Sequence, residues 1–123
     1  MVVALRRAAL AIAAAVFTAT SASAAPALAW VALAELPREV GVVLDQVRRG
    51  GPFRYDRDGV VFGNREQRLP ANARGYYREY TVPTPGARDR GARRLVCGGF
   101  TPTAPEACYY SDDHYQSFRS VRE

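Results

Sequence analysis

One stretch of this chain has helical periodicity, and a long region of short apolar runs and turn residues follows it. Apolar side chains recur there at i, i+3, i+4 and i+7, forming one stripe: Val40, Val43, Leu44 and Val47. Leu36-Pro37 predicts the start of this helix, because proline is tolerated at the first helical position. Gly50-Gly51-Pro52 predicts its end. The chain is therefore predicted to contain one amphipathic helix, placed before its strands.

The region after Gly51 is predicted to form short strands joined by turns. The strand-like stretches are 53–55 and 60–62 around a turn at Asp58-Gly59, then 76–82, 93–97, 108–110 and 114–121. One helix followed by several antiparallel strands indicates an α+β domain.

The first residues have the pattern of a secretory signal. An arginine pair precedes an apolar run over 8–16, and Ala22-Ser23-Ala24 fits the small-x-small cleavage rule. The run is too short to span a bilayer; an uncleaved anchor is the alternative. We predict a signal peptide over 1–24, cleavage near Ala24, and one domain over 25–123. The product is expected to be secreted and extracellular, with no stable membrane association after cleavage.

The two cysteines, Cys97 and Cys108, are predicted to form a disulfide that closes a short loop in an oxidising compartment. Two sulfurs and the single histidine, His114, are too few ligands for a zinc site. We therefore predict no metal and no cofactor.

All 17 basic residues are arginine, against 12 acidic residues, a formal net charge of +5. Without Arg6 and Arg7 of the signal, fifteen arginines and the twelve acids leave the domain with a formal charge of +3. This balance favours an anionic partner such as RNA, DNA or an acidic glycan, and charge alone does not choose among them. A basic protein without such a partner would have the same charge.

Glu79 and His114 are the candidate acid–base groups. Glu79 alternates with tyrosines on a predicted strand. A carboxylate at such a position either forms a structural salt bridge or takes part in catalysis. His114 follows Asp112 and Asp113, whose carboxylates would favour its protonated form; alternatively, it is a surface histidine in a polar turn. The nearby arginines, including Arg90 and Arg94, could also be a solvated edge.

The order of the motifs is more specific than any one of them. They are Gly51-Pro52-Phe53, the segment 58–66, the segment 75–82, the arginine-rich segment 85–94, and Asp113-His114-Tyr115. Over about 33 to 118 this succession resembles the small secreted bacterial guanyl-specific ribonucleases, the barnase-like microbial ribonucleases. The resemblance implies one N-terminal helix packed on a twisted antiparallel β-sheet.

The resemblance also implies roles for particular residues. It makes Glu79 the general base, His114 the general acid, and Arg90 and Arg94 the phosphate-binding cations. The guanine-binding residues that it implies are Phe62, Asn64, Arg65 and Glu66, with Tyr115 lining the site. The implied reaction is metal-independent cleavage of single-stranded RNA 3′ of guanosine through a 2′,3′-cyclic phosphate.

Guanine presents two donors, N1 and N2, that one carboxylate can accept together, and Glu66 is expected to read them. Backbone N–H groups of Asn64 and Arg65 would donate to O6. The alternative for Glu66 is a loop ion pair with Arg65 or Arg68. Gly63 stands where the family commonly has a polar side chain, which bears on substrate fine-tuning.

One further departure from the family, a rival function and the expected partners complete these expectations. Some relatives join their chain ends by a disulfide, but Ala32 occupies the early position here, so a Cys97–Cys108 bridge is expected to pin the strand pair instead. A non-catalytic module that binds RNA or another polyanion is the rival function. An acidic proteinaceous inhibitor of the barstar type is a possible partner, and the protein is expected to be a monomer.

Overall fold

The computed structural model describes residues 2–4, 8–19 and 28–123. Residues 2–4 and 8–19 contain no helix or strand and are exposed to solvent. Within the described ranges, no helix is both long and apolar enough to cross a membrane. The predicted arginine pair Arg6-Arg7 and the cleavage site near Ala24 lie outside the described residues.

The folded region has one α-helix and a five-stranded sheet. In chain order the elements are β1 (Trp30–Ala32), a 3₁₀ turn (Leu33–Glu35), α1 (Arg38–Arg49), β2 (Tyr77–Thr81), β3 (Arg94–Gly98), β4 (Ala107–Ser111) and β5 (Arg119–Arg122). The strand order is β1-β5-β4-β3-β2. The predicted α+β class is confirmed. The sheet is mixed rather than wholly antiparallel, because the short β1 pairs parallel with β5.

The helix α1 follows its predicted pattern. Its buried residues are Val40, Val43, Leu44 and Val47. The sequence predicts Pro37 as the first helical residue. In the structure Pro37 is the N-cap residue, so the helix begins one position later, at Arg38. Gly50 ends it with φ 77° and donates its N–H back to the carbonyls of Gln46 and Val47, a left-handed termination that suits glycine.

The sheet has an apolar face and a face that carries polar groups. The apolar face packs against α1 and includes Tyr80, Leu95 and Tyr110. On the opposite face Thr81 lies across from Arg94, and Arg94 across from Ser111. Side chains directly opposite on antiparallel strands share a face, and Glu79 lies two residues from Thr81. These four are the buried polar residues of the described chain.

The predicted strands 53–55 and 60–62 do not form. The segment lies along β2 instead: Gly59 N–H donates to the Glu79 carbonyl (2.8 Å) and Phe62 N–H to the Tyr77 carbonyl (2.9 Å). Asp58 explains the difference, since its carboxylate accepts the Tyr55 N–H at 3.1 Å and the Thr81 N–H at 2.7 Å. The turn is thereby fastened to the end of β2.

The last predicted strand, 114–121, is also shorter in the structure. β5 begins at Arg119. The residues before it turn, with positive φ at His114 (54°) and Tyr115 (72°), which interrupts an extended strand.

The predicted disulfide joins Cys97 to Cys108, which face each other in the β3–β4 register. Both cysteines belong to the hydrophobic core beneath α1. The bridge therefore pins the β3–β4 pair from the side of the sheet that faces the helix.

Candidate active site

Glu79 lies in the middle of β2 and is only 7% exposed. Its backbone N–H donates to the Val60 carbonyl at 3.0 Å, so the neighbouring segment covers the strand on that side. The nearest cation to the carboxylate is Arg57, whose guanidinium nitrogen lies 3.8 Å from Oε1. Arg57 itself is 67% exposed along its side chain, so this pairing is loose and solvated.

Arg94 is buried at the start of β3. Its Nη1 donates to the carbonyls of Gly91 at 3.0 Å and Arg93 at 2.8 Å. Its Nε is buried and makes no hydrogen bond. The carbonyls therefore hold one side of the guanidinium in place, while the buried Nε donor remains unpaired.

Arg90 is held by β2 through Thr81. Its Nε and Nη2 donate to the Thr81 hydroxyl oxygen at 3.0 and 2.8 Å. Thr81 and Glu79 point to the same side of the strand. The arginine and the carboxylate are therefore positioned by one strand, although they lie eleven residues apart in sequence.

His114 is exposed on the loop between β4 and β5, and its N–H donates to the Ala92 carbonyl at 3.0 Å. The Asp113 carboxylate does not face the imidazole. It accepts from the hydroxyls of Ser111 (2.9 Å) and Ser117 (2.6 Å) and from the Ser117 N–H (2.9 Å). These bonds, the Ser117 hydroxyl above all, lower the pKa of Asp113.

Asp112 is likewise directed elsewhere, with its carboxylate 3.9 Å from the Arg119 guanidinium. The sequence-based expectation that both flanking carboxylates serve the imidazole is therefore not supported by their contacts. Asp113 shapes the loop that presents His114.

Tyr115 connects these groups. Its ring centroid lies 4.9 Å from that of His114 and 5.9 Å from the Arg94 guanidinium carbon. Burial raises the pKa of its hydroxyl, the negative charge of Glu79 raises it further, and the positive charge of Arg94 opposes the rise. Glu79, Arg94 and His114 thus all adjoin one tyrosine.

The loop after Phe62 is closed by its own asparagine. The Asn64 amide donates to the Leu69 carbonyl at 2.9 Å and accepts the Leu69 N–H at 3.1 Å, and φ at Asn64 is 49°. The Phe62 ring stacks on Tyr115 at 5.2 Å between centroids. The loop is thereby attached to the tyrosine that contacts His114.

A cleft of about 660 Å³ runs from this loop to Glu79. The residues that line it include Phe62, Asn64, Arg65, Glu66, the segment 72–75, Arg57, Tyr77 and Glu79. The Glu66 carboxylate is 64% exposed and 3.9 Å from the Arg68 guanidinium. The alternative ion pair of Glu66 therefore exists only as a long surface contact, which contributes little.

A family model described as ribonuclease matches residues 19–122. The chain belongs to the ribonuclease family. Guanyl-specific ribonuclease Sa of Kitasatospora aureofaciens is 50% identical over 91 residues, which are 74% of this chain and 91% of that protein. Guanyl-specific ribonuclease Sa3 of the same organism is also 50% identical over 91 residues, 74% of this chain, but the match spans only 62% of its length.

Solved structures agree with this membership. Ribonuclease Sa2, solved in complexes with mononucleotides, is 46% identical with a TM-score of 0.73, over 80% of this chain and 98% of that one. Ribonuclease Sa2 with guanosine-2′-cyclophosphate is 47% identical with a TM-score of 0.70, over 78% and 97% of the two chains. The family recognised from the motif order is confirmed.

The cleft of this ribonuclease contains only part of the predicted set. Glu79 and the loop residues line it. Four other predicted residues do not line it: Arg90, Arg94, His114 and Tyr115. They lie beside its Glu79 end, because Tyr115 adjoins Glu79 and Arg94 and because the Thr81 hydroxyl holds Arg90. The predicted residues therefore form two adjoining regions rather than one pocket.

Sequence reasoning missed Thr81 and Arg57. Thr81 could have been found, because strand alternation places it on the same face as Glu79. Arg57 could not, because its position depends on how the turn that contains Asp58 attaches to β2.

Proposed function

We propose that this protein is a secreted, metal-independent endoribonuclease that cleaves single-stranded RNA on the 3′ side of guanosine. The observation that carries the proposal is the convergence of Glu79, Arg94 and His114 on Tyr115. It supplies a carboxylate, a guanidinium and an imidazole at one end of a cleft. The relatives Sa and Sa3 are named guanyl-specific ribonucleases, and Sa2 was solved with guanosine-2′-cyclophosphate.

Glu79 acts as the general base and His114 as the general acid. The carboxylate takes the proton of the ribose 2′-hydroxyl, whose oxygen then bonds to the adjacent phosphorus. The bond from phosphorus to the 5′-oxygen breaks, and the imidazolium gives that oxygen its proton. The product is a 2′,3′-cyclic phosphate, and in its hydrolysis the two groups exchange roles.

Arg90 and Arg94 stabilise the charge that develops on the phosphoryl oxygens. Both are pre-positioned, Arg90 by the Thr81 hydroxyl and Arg94 by backbone carbonyls. Fixed donors of this kind cost no reorganisation when the charge develops, which is why they lower the barrier.

The loop of Phe62 and Asn64 binds guanine. The backbone N–H groups of Asn64 and Arg65 donate to no acceptor within residues 28–123, and they would serve O6. The Glu66 carboxylate accepts from N1 and N2, and its exposure leaves it free to do so. Phe62 provides an apolar wall, and the ring of Tyr115 stacks on it.

The secretion proposal rests on the signal pattern of 1–24. The apolar residues Leu10, Ile12, Val16 and Phe17 are at least 81% exposed and thus contribute nothing to the core. A match over 80% of this chain suffices to cover 98% of the solved Sa2 chain, in keeping with a mature domain over 25–123. A monomer and an acidic inhibitor of the barstar type that covers the basic site fit the same proposal.

A digest tests the function directly. The protein is incubated in EDTA with an RNA oligonucleotide that contains one guanosine, and the products are weighed by mass spectrometry. We expect one cut after guanosine, a transient 2′,3′-cyclic phosphate, and no cut of the same sequence in DNA, which lacks the 2′-hydroxyl.

Variants complete the test. Glu79→Gln and His114→Ala should each reduce cleavage at least 100-fold, since each removes one proton-transfer group worth about 10²- to 10⁴-fold. RNA that stays bound but uncut by the wild-type protein would instead support the binding-module alternative.

A further inference from the structure

Two consecutive residues at the proposed general acid have left-handed backbone conformations. His114 has φ 54° and Tyr115 has φ 72°. Residues that carry a side chain rarely adopt this region, and they stay in it only when the surrounding structure holds them there. The direction in which His114 presents its imidazole therefore depends on the groups that hold this turn.

One such group is the carbonyl of Ala92, which accepts the His114 N–H at 3.0 Å. The carbonyls on either side of it, those of Gly91 and Arg93, accept hydrogen bonds from Arg94 Nη1 at 3.0 and 2.8 Å. Three successive carbonyls thus bind the backbone of the proposed acid and the guanidinium of a proposed phosphate-binding cation. They set where the backbone of His114 lies relative to Arg94.

The second group is the hydroxyl of Ser111, at the end of β4. Its oxygen accepts the Tyr115 N–H at 3.0 Å, and the hydroxyl donates to the Asp113 carboxylate at 2.9 Å. Ser111 is only 1% exposed, so both bonds are shielded from water. It also lies directly opposite Arg94 in the β3–β4 register. A buried group of the sheet therefore holds the residue that follows His114.

Asp113 fixes the direction of the Ser111 hydroxyl. Besides that hydroxyl, its carboxylate accepts the Ser117 N–H at 2.9 Å and the Ser117 hydroxyl at 2.6 Å. Because the proton of Ser111 is directed to Asp113, the Ser111 oxygen presents a lone pair to the Tyr115 N–H. The three side chains form one network that closes the loop from 111 to 117 around the histidine.

We propose that Ser111 is a positioning residue for the general acid, an inference that rests on the proposed function. Its hydroxyl holds the left-handed turn so that the imidazole of His114 reaches the leaving 5′-oxygen. Ser111 acts through His114 and not on the RNA, since it is buried in the sheet. Proton transfer requires the donor to lie within hydrogen-bond reach of the reacting atom. Loss of the hydroxyl should therefore slow only the step that needs the acid.

Two substrates separate that step from the rest of the reaction: GpU and guanosine 3′-(p-nitrophenyl phosphate). The 5′-oxygen of uridine needs a proton as it leaves, whereas p-nitrophenolate is a weak base and leaves without one. Attack by the 2′-hydroxyl is common to both substrates, so both need Glu79. His114→Ala is the reference variant, and it should lose cleavage of GpU while it keeps that of the ester.

We expect Ser111→Ala to lower kcat for GpU about tenfold or more, a part of the roughly 10²- to 10⁴-fold that acid catalysis contributes. KM for GpU and the cleavage of the ester should not change. Added to His114→Ala, the substitution should cause no further loss on GpU, because the group that Ser111 positions is already absent.

Ser120→Ala is the matched control. It makes the same chemical change on β5, where Ser120 pairs with Tyr109 on one side and Trp30 on the other. This variant should match the wild type on both substrates.

A second variant tests the same network from its exposed side. Ser117 is exposed, and Ser117→Ala leaves Asp113 with one bond fewer. We expect it to lower kcat for GpU about fivefold, the factor that corresponds to one ordinary hydrogen bond, and to leave the ester unchanged. Circular dichroism checks that each variant is folded, and Ser117→Ala decides the question if Ser111→Ala does not fold.

The two proposals fail in different ways. A wild-type protein that cleaves neither substrate contradicts the proposed ribonuclease function, and a His114→Ala variant that cleaves GpU like the wild type contradicts its general acid. If both behave as expected, the role of Ser111 is refuted when the folded serine variant cleaves GpU like the wild type. It is also refuted when that variant loses the ester to the same extent, or when the double variant is slower on GpU than His114→Ala alone.

Discussion

The Thr81 hydroxyl oxygen accepts two hydrogen bonds from one guanidinium, that of Arg90, at 3.0 and 2.8 Å. Thr81 is almost fully buried, at 3% exposed, and lies two residues beyond Glu79 on β2. The strand β2 thus carries the proposed general base, Glu79, and also positions a proposed phosphate-binding cation, Arg90, through the Thr81 hydroxyl.

Thr81→Val removes this acceptor but keeps the shape of the side chain. Hydrogen bonds to charged groups contribute about 1.5–3 kcal/mol, so kcat should fall about 10- to 100-fold when Arg90 is no longer held. Thr81→Ser retains the hydroxyl and should restore most of the activity. Steady-state kinetics on GpU measure both, and an equally large loss in the serine variant would contradict a positioning role.

Glu66→Gln should weaken the preference for guanine over adenine. The amide can no longer accept from both N1 and N2, and a lost or mismatched hydrogen bond of this kind costs about 1–3 kcal/mol. The ratio of kcat/KM for GpU to that for ApU should fall about 10- to 100-fold. Arg68→Ala removes the surface partner of Glu66 and should leave the ratio unchanged; an intact ratio in Glu66→Gln would refute the assignment.

Replacing both cysteines with alanine should destabilise the domain without inactivating it. The bridge closes a loop with a sequence separation of 11, for which loop-entropy arguments give about 3 kcal/mol. The two residues lie under α1, away from the polar face, so activity at low temperature should persist. Denaturant unfolding of wild type and variant measures the loss, and equal midpoints would contradict it.

Gly98→Ala should destabilise the domain because two tyrosine rings occupy the space of a side chain. A Cβ at this position would lie 2.8 Å from Cδ1 of Tyr76 and 2.9 Å from Cε1 of Tyr77. Such overpacking costs about 1–3 kcal/mol. Gly41→Ala is the control, since nothing lies within 4 Å of its Cβ, and on α1 it should stabilise by up to about 1 kcal/mol.

Asp113 should make folding stability depend on pH in the acid range. Its pKa is lowered from 3.8, chiefly by the Ser117 hydroxyl, so its folded pKa is below its unfolded pKa. Its contribution is then fully present above about pH 4 and is lost as pH falls through the folded value. The difference in unfolding free energy between wild type and Asp113→Ala should shrink below pH 4, and a constant difference from pH 7 to 2 would contradict this.

The predicted helix and the confirmed disulfide show where sequence reasoning is strong. The stripe that includes Val40 and Val47 needs only neighbours within two turns, and every member is buried as expected. The cysteine pair had no competitor, and the strands around it form as a hairpin. The predicted strand bounds were less accurate. Residues from His114 onward alternate like a strand in sequence, but the chain turns at His114 in the structure.

The segment around Asp58 shows where sequence reasoning is weak. Its Asp-Gly turn resembles a hairpin, yet its carboxylate bonds to Thr81, 23 residues away. No local pattern reports such a partner. The position of Arg57 beside Glu79 depends on it.

The amino-acid sequence by itself determined the α+β class, the ribonuclease family and the identity of the acid–base candidates, because these depend on local periodicity and on ordered motifs. Only the tertiary structure decided that Tyr115 adjoins Glu79 and Arg94, and that Asp113 serves the loop rather than the imidazole. The physical reason is that such contacts depend on where long connections bring distant side chains together. The length and composition of a connection do not specify which side chains it brings together.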